Sequence, residues 1–260
     1  MTVGTRRLAF AALGAALCGL AACAGLSNQR TQDAEAHFRM ATAALQQTGG
    51  IQSEVNRRAA YPELTLAIKL DPQNARYHHT LGTLYLYNGD LPAAERETQR
   101  ALKLDPNFAE GHNSLGLIYL SQGKLSEAAA QFRKALENLS YPTPEYAAYN
   151  LGKAAYLLKD FAVAAEAYER SLAILPNNPE GRFELGMCYT QLGRLADAEK
   201  AFTAALQLRP DMARTRYELG MVLFKLGRRS DAVVQFRRVV ELDPAGELGE
   251  QSRTYLKLLK

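Results

Sequence analysis

The sequence predicts an all-α protein: a solenoid of about six helix–turn–helix repeats closed by a C-terminal capping helix. Three observations carry this. The dipeptide Leu-Gly recurs at Leu81-Gly82, Leu115-Gly116, Leu151-Gly152, Leu185-Gly186 and Leu219-Gly220, with steps of 34, 36, 34 and 34 residues between the glycines. A proline closes most periods, at Pro72, Pro106, Pro176, Pro210 and Pro244. Alanines and aromatic residues return between these landmarks at helical spacing. A fixed period of this length is one supersecondary unit copied along the chain, and such units stack side by side. The composition is that of a folded chain, with 47% apolar and 22% charged residues in 260.

The first element in order is residues 1–22. Thr5-Arg6-Arg7 gives a positive start, and Leu8 to Leu20 is a nearly unbroken run of apolar and small residues. A membrane-spanning helix needs about 20 apolar residues, so the run reads as a secretory signal. It ends Leu20-Ala21-Ala22-Cys23, which closely resembles the lipobox of bacterial lipoproteins. The resemblance implies cleavage before Cys23, a diacylglycerol on its sulfur and a further acyl chain such as palmitate on its nitrogen. The alternative is an ordinary cleavage site beside an incidental cysteine. Cys18 fits less well because Leu17 is large, and Arg6-Arg7 only partly matches a twin-arginine signal. At roughly 0.8 kcal/mol per buried CH₂, several acyl chains anchor stably where one is marginal. Ala24 stands where an aspartate often marks inner-membrane retention in such lipoproteins, which leans toward the outer membrane. Residues 23–34 are polar and read as a tether. Removal of Arg6 and Arg7 lowers the net charge from +4 to +2, too little to suggest a nucleic-acid partner. With Cys23 lipidated no intramolecular disulfide can form, and Cys188 reads as a small buried hydrophobe.

The repeats follow. Within each period the pattern resembles the tetratricopeptide repeat, a helix–turn–helix of 34 residues. In residues 75–108, Leu81, Gly82 and Tyr85 share a face of the first helix. Gly89-Asp90 ends that helix, Ala94 and Ala101 lie on the second, and Leu104-Asp105-Pro106 turns into the next unit. Glycine inside a helix costs about 1 kcal/mol relative to alanine, so its return in five periods predicts that a neighbouring helix backbone comes close there. The register gives six units: 35–74, 75–108, 109–144, 145–178, 179–212 and 213–246. The first holds extra turn residues at Thr48–Ser53. The third ends Ser140-Tyr141-Pro142-Thr143-Pro144, where two prolines predict a kinked junction dividing the stack into three repeats on each side. Residues 247–260 form the capping helix.

The repeats leave no room for a catalytic domain. No phosphate-binding glycine loop, nucleophile elbow or metal-type Cys/His cluster is present in the sequence, so neither an enzyme nor a small-molecule substrate is expected. His78 and His79 point apart on a helix and read as structural or solvated. The concave face, lined in such folds by the first helices, is the candidate binding groove. The places that face it give Tyr146, Tyr149, Lys153 and Tyr156; then Glu180, Phe183 and Met187; then Arg214, Tyr217, Met221 and Phe224. Aromatic residues and methionine there suit a peptide or helix, while some of them pack between repeats. Residues 213–260 hold 10 Lys/Arg against 6 Asp/Glu, a balance open to an acidic partner, an anionic lipid or a plain solvated face.

A lipobox followed by six such repeats resembles the type IV pilus biogenesis/stability lipoproteins, the pilotins of the PilF/PilW/Tgl kind. The more particular part of the likeness is Tyr141-Pro-Thr-Pro-Glu-Tyr146 running into Asn150-Leu151-Gly152, with Gly111-His112-Asn113-Ser114-Leu115-Gly116 before it. The resemblance implies an outer-membrane-anchored scaffold that helps secretin subunits reach the membrane and assemble their pore. It implies no cofactor beyond the lipid on Cys23. The competing reading is a general periplasmic scaffold lipoprotein that organises cell-wall enzymes.

Overall fold

The computed structural model describes residues 28–259. These fall into two compact units that divide between Ser114 and Leu115. The predicted signal segment, with Cys23, lies outside the described residues.

The first unit opens with α1, residues 28–45. Residues 28–33, read from the sequence as part of a tether, are its first turns. Gln29 bonds Asp33 one turn on at 2.9 Å, Ala34 is buried, and the Tyr77 hydroxyl donates to Glu35 at 3.0 Å. Polar composition hid a helix that is held by its later turns. A 3₁₀ turn at Gly50–Gln52 leads to α2 (Glu54–Leu70). Buried Asn56 organises the extra turn residues, its amide donating to the carbonyls of Gln47, Thr48 and Gly50 at 3.3, 3.3 and 3.0 Å. Then come α3 (Ala75–Tyr87) and α4 (Leu91–Leu104), capped by Asn74 and Asp90. α5 (Ala109–Ser121) carries the division between the units.

The second unit continues with α6 (Leu125–Glu137), α7 (Pro144–Leu157), α8 (Phe161–Ile174), α9 (Pro179–Gln191) and α10 (Leu195–Leu208). It ends with α11 (Ala213–Lys225), α12 (Arg229–Leu242) and α13 (Glu247–Leu258). From α6 to α13 each helix packs on the next. The described residues contain no strand. One contact recurs at the start of several repeats. A side chain on the first helix donates to the carbonyl of the proline that closed the previous unit: His112 to Pro106 at 2.9 Å, Arg182 to Pro176 at 2.8 Å, Arg216 to Pro210 at 2.9 Å.

Two expectations are corrected. The paired prolines do not divide the stack. Pro144 occupies the first turn of α7, where no amide donor is needed, and Tyr141 plugs the connection from within. Arg170 of α8 reaches back to the Leu136 carbonyl at 3.3 Å, so α6, α7 and α8 form one packed body. The close approach at the repeated glycines is also of a different kind. A Cβ on Gly116, Gly152, Gly186 or Gly220 would fall 2.5–2.8 Å from a ring carbon of Phe132, Tyr168, Phe202 or Phe236 respectively. The second helix of each unit lays its aromatic ring flat on the first, and the ring, not the backbone, takes the space. At Gly82, where Thr98 replaces the ring, backbone atoms do approach, the Ala94 carbonyl within 3.2 Å.

The turn between the two helices of a unit places one residue in the left-handed region. Gly89, Gly123, Gly193 and Gly227 take it at φ 72–81°, whereas the fourth period uses Lys159 at φ 63°.

Candidate protein-binding groove

The first helices of the second unit, α7, α9 and α11, set the predicted groove residues in helical register. On α7, Tyr146 is 56% exposed at the helix start, and Lys153 is exposed further along. Tyr149 and Tyr156 are half-buried, each edge-on to a neighbouring ring: Tyr168 at 5.3 Å and Phe161 at 5.3 Å. On α9, Met187 rests half-buried against the core. Phe183 is only 8% exposed, since its ring turns inward to Phe202 at 5.8 Å. On α11, Met221 also lies against the core. Tyr217 and Phe224 meet Tyr255 of α13, with centroids 6.3 and 5.9 Å apart. These two aromatics are therefore shared between the groove face and the cap, and Phe183 contributes mainly as floor. The Arg214 guanidinium sits 5.4 Å over the Phe183 ring.

The sequence reading passed over Glu184 and Glu218. Each follows the aromatic residue of its helix, Phe183 or Tyr217, and lies one turn after Glu180 or Arg214. Both are half-buried. Burial pushes each carboxyl above the usual carboxylate range, while Arg214 and Lys153 pull Glu184 down and Arg214 and Lys225 pull Glu218 down. Neither carboxylate has an ion pair or side-chain hydrogen bond among the described residues. The Tyr156 hydroxyl is raised first by burial and then by the fields of Cys188, Glu184 and Glu218. Tyr149 is raised by burial and by Glu184 and Glu180. Tyr156, Glu184, Arg214 and Glu218 thus share one electrostatic neighbourhood on three helices. The signal available in the sequence was the glutamate recurring at one place in successive units.

Chemically this is an amphipathic surface. Tyrosine and methionine offer adaptable apolar contact, and two partly dry carboxylates lack the donors that would offset their desolvation. A recess of about 410 Å³ opens at its edge, lined by Phe183, Arg209, Met212 and Arg214 among others. The described residues hold no group of histidine, cysteine and acidic side chains arranged for a metal. His78 is buried, bonded to the Pro72 carbonyl at 3.1 Å and set 2.9 Å from Glu97. His79 lies 2.8 Å from the Ser114 hydroxyl and edge-on to Phe108. Cys188 is fully buried, and burial raises its thiol to about 12.

Fold and repeat register define a class. Tetratricopeptide repeat models match residues 79–142, 153–211 and 193–248, and the chain belongs to the tetratricopeptide-repeat proteins. No curated protein matches it by sequence. Among solved structures it is similar to PilF of Pseudomonas aeruginosa, at TM-score 0.73 and 21% identity, over 87% of this chain and 99% of that one. It is similar to PilW, described as a widely conserved type IV pilus biogenesis factor, at TM-score 0.65 and 25% identity, over 87% and 97%. It is also similar to YrrB, described as a repeat protein with an unusual peptide-binding site, at TM-score 0.68 and 24% identity, over 74% and 97%. The fold is that of protein-interaction scaffolds.

Proposed function

We propose that this chain is a lipid-anchored docking protein of the cell envelope, with Cys23 carrying the lipid at the periplasmic face of the outer membrane. Its groove on α7, α9 and α11 binds a secretin subunit during type IV pilus biogenesis. One observation carries the binding role. Glu184 and Glu218 are held half-buried among tyrosine and methionine side chains without an ion pair. An incoming segment with N–H or cationic donors between apolar side chains would satisfy both demands at once. The lipobox ending in Cys23 supports the anchor, and the extent of the likeness to PilF and PilW supports the pilus assignment. Tethering raises the effective concentration of groove and client at the membrane, so modest intrinsic affinity suffices. Among the described residues no helix is long and apolar enough to cross a membrane.

The test is genetic and biochemical. Deletion is expected to remove heat-resistant secretin multimers from the outer membrane, and Tyr156→Ala with Glu184→Gln to reduce them. Normal multimers in the deletion strain would sink the pilus assignment. Cys23→Ala is expected to leave the membrane fraction, and its continued fractionation with membrane would refute lipidation. The second reading is a general scaffold for cell-wall enzymes; beside it stands the likeness to YrrB, a repeat protein with a peptide-binding site, over 74% of this chain. Affinity capture from envelope extracts separates the two, yielding secretin in one case and cell-wall enzymes in the other.

A further inference from the structure

The end of the second unit carries a feature that the groove does not use. Glu199 and Thr203 of α10, Arg216 and Leu219 of α11, and Asp231 and Gln235 of α12 wall one crevice, of about 410 Å³. It is tied across by Arg228, which donates to Glu199 at 2.6 Å, and by Arg216, which donates to Gln235 at 3.1 Å. One period later, Val233 and Arg237 of α12 stand 34 residues after Glu199 and Thr203. On α13, Arg253 repeats the contact made by Arg216, donating to the carbonyl of the closing proline, here Pro244, at 2.9 Å. Arg253 stands nine residues after its proline where Arg216 stands six after its own, so α13 runs three residues out of the 34-residue step; counted from this contact, Leu256 answers to Leu219 and Lys257 to Gly220. Val233, Arg237, Arg253, Leu256, Lys257 and Leu259 line a recess of about 440 Å³. It lies one period on, between α12 and α13.

The lining of this recess says what it would hold. Glycine at the place of Gly220 admits the ring of Phe236 from the second helix of the same unit. Lys257 fills that place with a long cationic side chain. Neither Arg237 nor Lys257 has an ion pair among the described residues, and Arg253 shares Glu250 at 2.7 Å. The floor is apolar, from Val233, Leu256 and Leu259, and the rim is cationic. Helices seat on such floors by a stripe at i, i+3, i+4 and i+7. Arg237 and Lys257, cations without an ion pair of their own, favour carboxylates beside that stripe.

We propose that this recess is the docking site for an amphipathic helix of a partner protein, with Asp or Glu flanking its apolar stripe. The site is separate from the α7–α9–α11 groove and does not depend on it. The probe is a synthetic helical peptide of about 18 residues, long enough for a marginal helix, with a leucine stripe flanked by glutamates. Its counterpart carries lysine at each glutamate. By fluorescence anisotropy with the full chain, the acidic peptide is expected to bind about tenfold or more tighter than the basic one. Arg237→Glu with Lys257→Glu is expected to invert that preference while leaving the thermal transition unchanged. Tyr156→Ala with Glu184→Gln, on the groove, should leave acidic-peptide binding intact. Equal affinity for the two peptides would overturn the proposal, as would an unchanged preference in the reversed variant or loss of binding in the groove variant. So would capture by phosphatidylglycerol vesicles, or self-association of the chain, abolished by the same charge reversal in the absence of peptide binding.

Discussion

Gly186→Ala adds a methyl group where Phe202 crosses α9, and the structure sets both sides of its energy. A Cβ at this position falls 2.5, 2.7 and 2.9 Å from Cε1, Cδ1 and Cζ of the ring. Ordinary contact begins near 3.4 Å, so the ring must retreat by close to 0.9 Å. It has little room, being fully buried and backed by Phe183 at 5.8 Å. Overpacking of this kind costs about 1–3 kcal/mol. Alanine gains about 1 kcal/mol over glycine in a helix interior. The steric term equals or exceeds the propensity gain, and the variant is expected to be destabilised by up to about 2 kcal/mol. Phe202→Ala alone should cost about 3–5 kcal/mol, and it removes the ring. In that background Gly186→Ala should stabilise by about 1 kcal/mol, since only the propensity term survives. The double-mutant cycle, read from urea midpoints by far-ultraviolet circular dichroism at constant m, then isolates a coupling of about 1–3 kcal/mol. Gly186→Ala stabilising the native protein by the full propensity amount would refute the reasoning, as would a coupling below about 0.5 kcal/mol.

Other consequences follow from single groups. Lys159→Gly relieves a left-handed backbone that four other units assign to glycine, and it should raise stability by about 1 kcal/mol in urea titrations, with no gain counting against strain at that turn. Burial holds His79 near 4, below the ordinary 6.5, so the unfolded chain takes up the proton first. Stability present above pH 6.5 is therefore lost as the pH falls toward 4; an NMR titration of His79 with a midpoint near 6.5 would contradict this. Burial pushes the Cys188 thiol up to about 12, so iodoacetamide at pH 8 should leave the Cys188 peptide unmodified until urea is added, and stoichiometric native labelling would show the site to be open. Burial raises Glu184, so its charged form opposes folding at neutral pH. The protonated form favours folding at low pH, and this contribution is lost as the pH rises through the raised value. Glu184→Gln should accordingly raise the urea midpoint at pH 7 and leave it unchanged near pH 3, and a lower midpoint at pH 7 would indicate a hidden partner for the carboxylate.

The fold was legible because a repeat prints its packing many times over. Leu-Gly, the later alanine and the closing proline each answer one local demand: a crossing ring, a close helix pair, a turn without an amide donor. What pattern did not carry was anything dependent on distance across helices. The paired prolines at Pro142 and Pro144 read as a break because proline ends helices. Only the packing of Tyr141 and the reach of Arg170 show the connection to be tied from both sides. For the candidate groove the sequence supplied helical register alone. Tyr149, Tyr156, Met187 and Met221 follow from helical register, whereas the importance of Glu184 and Glu218 lies in what does not pair with them.

Departures from a repeat therefore carry more about function than the repeat itself. Where every unit conforms, each residue is explained by its neighbours in the stack, and nothing is left over for a partner. Lys159 breaks the left-handed place and Lys257 the glycine place, while Glu184 and Glu218, which do follow the repeat, stand half-buried without an ion pair. Of these, Lys159 costs local strain at an exposed turn, and the structure shows no gain from it. The other three sit where a neighbouring surface would relieve them. Glu184 and Glu218 want donors, and Lys257 with Arg237 wants carboxylates. The second unit thus presents two surfaces of opposite demand, one along α7, α9 and α11 and one between α12 and α13. A single partner segment cannot satisfy both with the same charges, so full occupancy requires two segments of different character, whether from one protein or from two.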